Sequence, residues 1–340
     1  MGERLSSYGW NDRWVARFTP HADDGRQPGR VLRQDLSASL VATRQGVVHV
    51  PARRTVPPLA VGDWVVIENS EVIVAVLERS SVLRRRDPEG GEQLLAANID
   101  VVAMVFGADR PLKAGRLFRT TTQIWDAGAV PVVVLTKTDL LLDVDAAVDR
   151  VHEIDPNTDV VAVSSVRGDG IEALRRRISG LTVVLVGESG AGKSTLVNAL
   201  HGDEVAAVSG VRGTDHRGRH TTTSRELHLL PGGGVLIDTP GLREVGLWTD
   251  ESAVDETFPE IAALADDCQF RDCSHGPEPG CAVRAAVADG RLTEERFMAW
   301  ESLRREAVSA RLRADEHARR AEDRRFGRMV KDAVRDKRRR

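Results

Sequence analysis

Gly187-Glu188-Ser189-Gly190-Ala191-Gly192-Lys193-Ser194 fits the pattern G-x-x-x-x-G-K-S, with the apolar run Thr182–Val186 before it and the helically patterned Thr195–Leu200 after it. Strand, loop and helix come in the order that a phosphate cradle needs. The glycines let backbone N–H groups close around phosphate oxygens, and the start of the helix adds positive potential. Lys193 is placed to meet the β and γ phosphates, Ser194 to ligate magnesium, and Thr195 to extend the nucleotide-contacting run. A chance glycine-rich turn would lack this context on both sides.

Downstream, Asp238-Thr239-Pro240-Gly241 follows a second apolar run, Val235–Ile237. A carboxylate at a strand's C-terminal end can hold magnesium's water shell, and the N–H of Gly241 can approach a γ-phosphate. Many such sites continue with a glutamine that orients the attacking water; here the next residue is Leu242, which cannot. Either hydrolysis is slow or another group supplies that role. Gly218-Arg219-His220-Thr221-Thr222-Thr223 offers one: Thr222 or Thr223 can complete a magnesium shell. His220 is either a water-positioning group or an exposed loop histidine.

Upstream, Thr136-Lys137-Thr138-Asp139 after the run Pro131–Leu135 approximates N-K-x-D. Asp139 can accept from the ring N–H and the exocyclic amine of guanine, whereas adenine would leave it unpaired, a costly mismatch in a buried site. Lys137 would cover the base. Thr136 replaces the usual asparagine, so a bond to the base or to the phosphate loop is expected to weaken. Ser164-Ser165-Val166, after Val160–Val163, can offer backbone N–H groups to the guanine oxygen. The base-reading parts thus precede the phosphate parts, the reverse of the ordinary order. Circular permutation would keep every site residue in place while moving the chain ends.

From Ile99 to Ile237, apolar strands alternate with amphipathic helices, which argues for a parallel sheet wound with helices on both faces. Before that, Gly29–Gln34, Ser39–Thr43, Val47–Val50, Asp63–Glu68 and Val72–Leu77 read as five short strands of a small barrel, OB-type or SH3-like. After Trp248 the pattern turns helical around Cys268, Cys273, His275 and Cys281, a C-x4-C-x-H-x5-C cluster suited to closed, structural, tetrahedral zinc. The other reading is three unrelated cysteines near a histidine. The expected division is an N-terminal extension (1–28), a barrel (29–95), an α/β nucleotide domain (96–246), a zinc-binding helical domain (247–305) and a basic tail (306–340).

Length and composition bound these readings. A chain of 340 residues with 41% apolar content accommodates two or three cores. Its longest apolar runs fall well short of the roughly 20 residues that span a bilayer, and Met1–Trp14 lacks the form of a secretory signal. The expected compartment is the cytoplasm, and the expected state a monomer. A net charge of −3 means that any RNA contact must be local, at Arg84-Arg85-Arg86 or in the arginines of 311–340.

Taken together, these residues resemble the bacterial circularly permuted, small-subunit-dependent GTPases of the RsgA type. Matching pieces include Ala60-Val61-Gly62-Asp63-Trp64-Val65, Ala97-Asn98-Ile99-Asp100, Thr136–Asp139, Gly187–Ser194, Gly218–Thr223, Asp238–Gly241 and the cysteine cluster ending Gly280-Cys281-Ala282-Val283. The resemblance implies an OB-fold domain, a permuted GTPase centre and a zinc-bearing domain. It also implies binding to the small ribosomal subunit and its rRNA in late maturation, with GTP hydrolysis stimulated by that particle and a histidine where His220 stands. Thr136, a long gap before the cysteines and the arginine-rich tail depart from the pattern. Two rival readings are an RNA-binding scaffold in which nucleotide only stabilises the fold, and an adenine-nucleotide enzyme raised by Thr136.

Overall fold

The valine- and isoleucine-rich runs near the N-terminus become five antiparallel strands: β1 (Arg26–Gln34), β2 (Ala38–Thr43), β3 (Val47–Pro51), β4 (Trp64–Glu68) and β5 (Val72–Val76). This computed structural model describes residues 3–23, 25–35, 37–51, 57–86, 92–202, 225–238, 251–276, 278–309 and 311–312. β1 pairs with both β2 and β4, β2 continues to β3, and β4 to β5. β3 also comes alongside β5, which curls the sheet around Val31, Val41, Val50, Val65, Ile67 and Ile73. Alternating burial along β3 and the first four residues of β2 is what period-two side chains give when one face is packed.

Two short helices precede the barrel, α1 (Glu3–Ser6) and α2 (Asp12–Phe18), in a region where the sequence reading placed no element. Their anchor is aromatic: Trp10 and Trp14 lie 4.8 and 5.7 Å from the fully buried Trp64. After the barrel comes a second unforeseen element, a hairpin of β6 (Val82–Arg86) and β7 (Glu92–Ala97).

The alternating segment then builds β8 (Val101–Gly107), α3 (Ala114–Asp126), β9 (Val130–Thr136), α4 (Val144–Ile154), β10 (Asp159–Ala162), α5 (Ile171–Ile178), β11 (Thr182–Val186), α6 (Lys193–His201), β12 (Glu226–Leu229) and β13 (Val235–Asp238). The sheet order is β10-β9-β8-β11-β13-β12, parallel except for β12. β8 and β11 are buried almost throughout, as expected for central parallel strands covered on both faces.

Barrel and sheet are continuous, because β12 pairs with β1 at Arg33↔Glu226. Behind that link lies a buried polar joint built from two of the family-like segments. Gly62 adopts φ +92, and a Cβ there would come within 2.2 Å of the Ala97 carbonyl. Asp63, with no exposure, accepts from Arg79 Nε at 2.7 Å and from the Ala60 N–H at 2.7 Å. Asn98 donates to the Gly62 carbonyl at 3.0 Å and accepts from the Ser80 N–H at 3.0 Å. Arg30, 1% exposed, stacks on Trp64 and donates to the Tyr8 carbonyl, to the Asn98 carbonyl and to Thr182 Oγ1 at 2.8 Å. Burial pulls its guanidinium down to about 10, against the opposing pull of Asp100 and Asp63.

The chain divides into two compact units, Met1–Gly246 and Leu247–Arg340. The second holds α7 (Glu251–Thr257), α8 (Pro259–Asp266), α9 (Ala282–Ala288) and a helix over 294–309, with the cysteine cluster in contact with α8, α9 and the long helix. Arg296 ties the long helix to the start of this unit through Glu260 and the Thr257 carbonyl. Leu303 and Ala307 are buried, so packing continues past 305 into the start of the expected basic tail.

Candidate functional site

From β8 the chain steps outward to β9 and β10, whereas β11 begins the half of the sheet that holds β13 and β12. The strand order therefore reverses between β8 and β11. In open α/β sheets the crevice at such a point, beyond the strands' C-terminal ends, is where ligands bind. Gly107, Thr136, Gly187 and Asp238 all lie at or next to the C-terminal ends of mutually parallel strands. Segments separated by about a hundred residues are thus brought to one edge.

The loop between β11 and α6 is shaped by close approach. Gly187 takes φ +155, and a Cβ on it would lie 2.4 Å from the Val105 carbonyl. Gly192, left-handed at φ +93, caps α6. Lys193 Nζ donates to the carbonyls of Gly187 at 2.6 Å and Glu188 at 2.7 Å, so the ammonium is aimed before any ligand arrives. Ser194 and Thr195 occupy the first turn of α6, where backbone N–H groups have no intrahelical acceptor. Asp238 ends β13; burial raises its carboxyl above the ordinary range, with His228 and Lys193 pulling the other way.

At the base end, Thr136 Oγ1 lies 2.5 Å from the Ala191 carbonyl and 3.2 Å from that of Phe106. A hydroxyl has one proton, and the shorter contact takes it. Thr136 therefore links this strand to the phosphate loop. Lys137 is left-handed, φ +59, and its Nζ donates to Asp109 at 2.8 Å. Thr138 is buried, and its N–H reaches the Val163 carbonyl at 3.3 Å. Asp139 Oδ1 accepts from Ser164 Oγ at 2.7 Å. The Ser164 N–H goes to the Asp169 carbonyl at 2.9 Å, so Ser164 orients Asp139 and leaves any N–H for a base oxygen to Ser165 and Val166. Ser165 Oγ is buried without a hydrogen-bond partner.

Sequence reasoning missed Asp109, Arg110 and Arg116. Glu188, on the phosphate loop, pairs with Arg116 and, at 3.6 Å, with Arg110. The available signal was positional: charged residues directly after an apolar strand that neighbours the phosphate-loop strand lie at the switch point. His220, Thr222, Thr223, Gly241 and Leu242 lie outside the described residues.

In the second unit, the ligand atoms of Cys268, Cys273, His275 and Cys281 all lie within 4.8 Å of one another. His275 Nδ1 is 3.6 Å from both Cys268 Sγ and Cys281 Sγ. Zn–S bonds of about 2.3 Å and Zn–N bonds of about 2.0–2.1 Å in a tetrahedron give an S···N edge of about 3.6 Å. Donor set and spacing therefore fit zinc with no open position. Burial alone would raise the Cys268 thiol, but the N–H groups of Ala282 and Val283, opening α9, hold it below the usual range. At Cys273 the His275 N–H favours the thiolate; burial, Glu278 and the neighbouring sulfurs outweigh it and push the thiol up to about 12. Three thiols crowded in this way favour a dication that removes their protons. His275 packs edge-on against Trp300, 5.3 Å between ring centroids, seating the cluster on the long helix.

Among the described residues, no helix is long and apolar enough to cross a membrane. The family model RsgA GTPase matches residues 76–248. The small ribosomal subunit biogenesis GTPase RsgA of Streptomyces coelicolor is 43% identical, with 98% of this chain and 96% of that protein covered. Its counterpart from Opitutus terrae is also 43% identical, over 94% of each. Among solved structures, YjeQ from Thermotoga maritima superposes with TM-score 0.64 at 25% identity, covering 83% of this chain and 99% of that one. YloQ, described as a circularly permuted GTPase, gives 0.63 at 26%, covering 84% and 96%. In this chain the base-reading strand comes before the phosphate loop, a rotated order that agrees with its likeness to a circularly permuted GTPase, and the chain belongs to the RsgA GTPase family.

Proposed function

We propose that this protein acts in small ribosomal subunit biogenesis, binding the immature particle with GTP and leaving it on hydrolysis, which the particle stimulates. The observation that carries the nucleotide half is the meeting of Asp139, the Gly187–Ser194 loop and Asp238 at one switch-point edge. The ribosomal half is supported by relatives named for small-subunit biogenesis at 43% identity.

In this reading Asp139, held by Ser164, selects guanine, and Lys137 covers it. Thr136 fixes the base-reading strand to the loop that wraps the phosphates, Gly187 to Gly192. Lys193, already braced by two carbonyls, gives a further N–H to the β–γ bridge, where charge develops in the transition state. Ser194 and Asp238, with Thr222 or Thr223, would hold magnesium, which supplies charge neutralisation at the β and γ oxygens. The Gly241 N–H and His220 are assigned to the γ-phosphate and the attacking water. Leu242 cannot polarise water, which fits hydrolysis that waits for a partner. Cys268, Cys273, His275 and Cys281 would hold a structural zinc, checked by metal analysis of the purified protein and its loss in Cys281→Ser.

Contact with rRNA is assigned to Arg84 and Arg85 on the β6–β7 hairpin, to Arg86 in the same strand, and to the arginines of 311–340. Burial lowers the pKa of Arg225, and the nearby charge of Arg85 lowers it further; clustered like charge of this kind suits a phosphate backbone. The division into extension, barrel, GTPase domain, zinc domain and tail is part of the same proposal.

GTP turnover measured with and without small subunits tests it. Stimulation by small but not large subunits is the expected result. Equal rates in all samples would remove the ribosome from the mechanism.

A further inference from the structure

The segment that follows β8 has no assigned role, yet the topology puts it at the switch point beside the phosphate loop. Three contacts show what it touches. Asp109 accepts from Lys137 Nζ at 2.8 Å, on the base side. Arg116, in the first turn of α3, pairs with Glu188 on the phosphate loop. Arg110 lies between, 3.5 Å from Asp109 and 3.6 Å from Glu188, with its guanidinium over Gly190, where a Cβ would meet it at 3.4 Å.

The contact at Glu188 reaches further than its side chain. The backbone carbonyl of the same residue accepts from Lys193 Nζ at 2.7 Å. Fixing the Glu188 carboxylate therefore limits rotation of the peptide that aims the lysine. Arg110, Arg116 and Glu188 line a cavity of about 230 Å³ together with Phe106, Pro111 and Leu112, and their side chains stay partly exposed to water.

We infer that Asp109, Arg110 and Arg116 are positioning residues that clamp the two halves of the nucleotide site. Asp109 sets Lys137 over the base, Arg116 sets Glu188 and through it Lys193, and Arg110 couples the pair. This role rests on the guanine-nucleotide reading above.

The test is a double-mutant cycle on the full chain, with steady-state hydrolysis on small subunits and fluorescent GDP binding as readouts. Arg116→Ala and Glu188→Gln should each raise KM for GTP about two- to fivefold, the span expected for exposed ion pairs, with a smaller change in kcat. The double variant should be no worse than either single, and Arg116→Lys should recover most of the loss. Raising salt to about 0.5 M, where the Debye length falls to a few ångströms, should bring wild type and variants together. Both side chains are exposed enough for the variants to fold, which their unfolding midpoints will check. Single effects that multiply in the double variant, or a fall in kcat with KM unchanged, would overturn the clamp while leaving the nucleotide reading intact. Failure of the unmodified protein to bind GDP or GTP would instead remove that reading, and the clamp with it.

Discussion

The joint between barrel and sheet and the nucleotide edge are both networks of charge, but they differ in access to water. At the joint, Asp63 and Arg30 are buried to 0 and 1% exposure, and each is held by several fixed donors or acceptors. At the nucleotide edge, the side chains of Asp109, Arg110, Arg116, Lys137 and Glu188 retain between 29 and 42% exposure. Buried charges need fixed partners, and breaking a pair strands the other member in low dielectric. Exposed pairs are weak, screened and exchangeable. The joint is built to stay shut, whereas the edge is built to trade internal partners for a ligand.

The largest break in that contrast should come at the joint. Asp63→Ala removes the acceptor of the Ala60 N–H and the carboxylate partner of Arg79, which keeps the Pro58 carbonyl, and should cost about 3 kcal/mol, read as a lowered urea midpoint with an unchanged slope. GDP affinity per folded molecule should stay within about twofold; a large loss of affinity would show that joint and edge are one network. At the edge, the signature is opposite. Lys193→Ala should lower hydrolysis on small subunits about a hundred- to a thousandfold, the effect of deleting one charged transition-state donor, with the unfolding midpoint almost unmoved.

Thr136→Val sharpens the comparison, since it removes a buried bond that belongs to the edge. Losing the proton given to the Ala191 carbonyl should cost about 1 kcal/mol, seen both as lower stability and as several-fold weaker GDP binding. Asp109→Asn should be mildest, weakening GDP binding about two- to fivefold. The Asp109 carboxyl is held below its ordinary range, chiefly by the hydrogen bond from Lys137. A depressed acid contributes fully above its unfolded pKa and loses that contribution only as pH falls through the lowered value. The difference between wild type and Asp109→Asn should therefore stay flat from about pH 6 to pH 8. A steep change across that window would remove the ion pair as its cause.

The strands and helices from β1 to β5 and from β8 to β13 were legible because apolar periodicity and turn residues agree locally. Gly187–Ser194 was legible for the same reason: a short contiguous motif carries its own context. The helices α1 and α2 were not, because Trp10 and Trp14 are held by Trp64, a partner fifty residues away that no local pattern reveals. Nor was the β6–β7 hairpin, whose strands mix charge with apolar residues instead of alternating cleanly. At the site, Asp139 and Ser164 were both identified, but the bond between them was not. Only the pairing of β9 with β10 makes Ser164 an orienting group in place of an N–H donor to the base.

By itself the sequence determined the chemistry available: a loop that can wrap phosphates, a carboxylate that can read guanine, four ligands of zinc-like type, and their rotated order along the chain. These follow from residue type and spacing, which act over a few residues. Tertiary structure decided which groups meet. It brought Thr136 to Ala191, Asp109 to Lys137 and Arg116 to Glu188, and it sealed Arg30 beneath Trp64. Such pairings are set by the order of strands in the sheet and by exclusion of water, and neither quantity exists until the chain has folded.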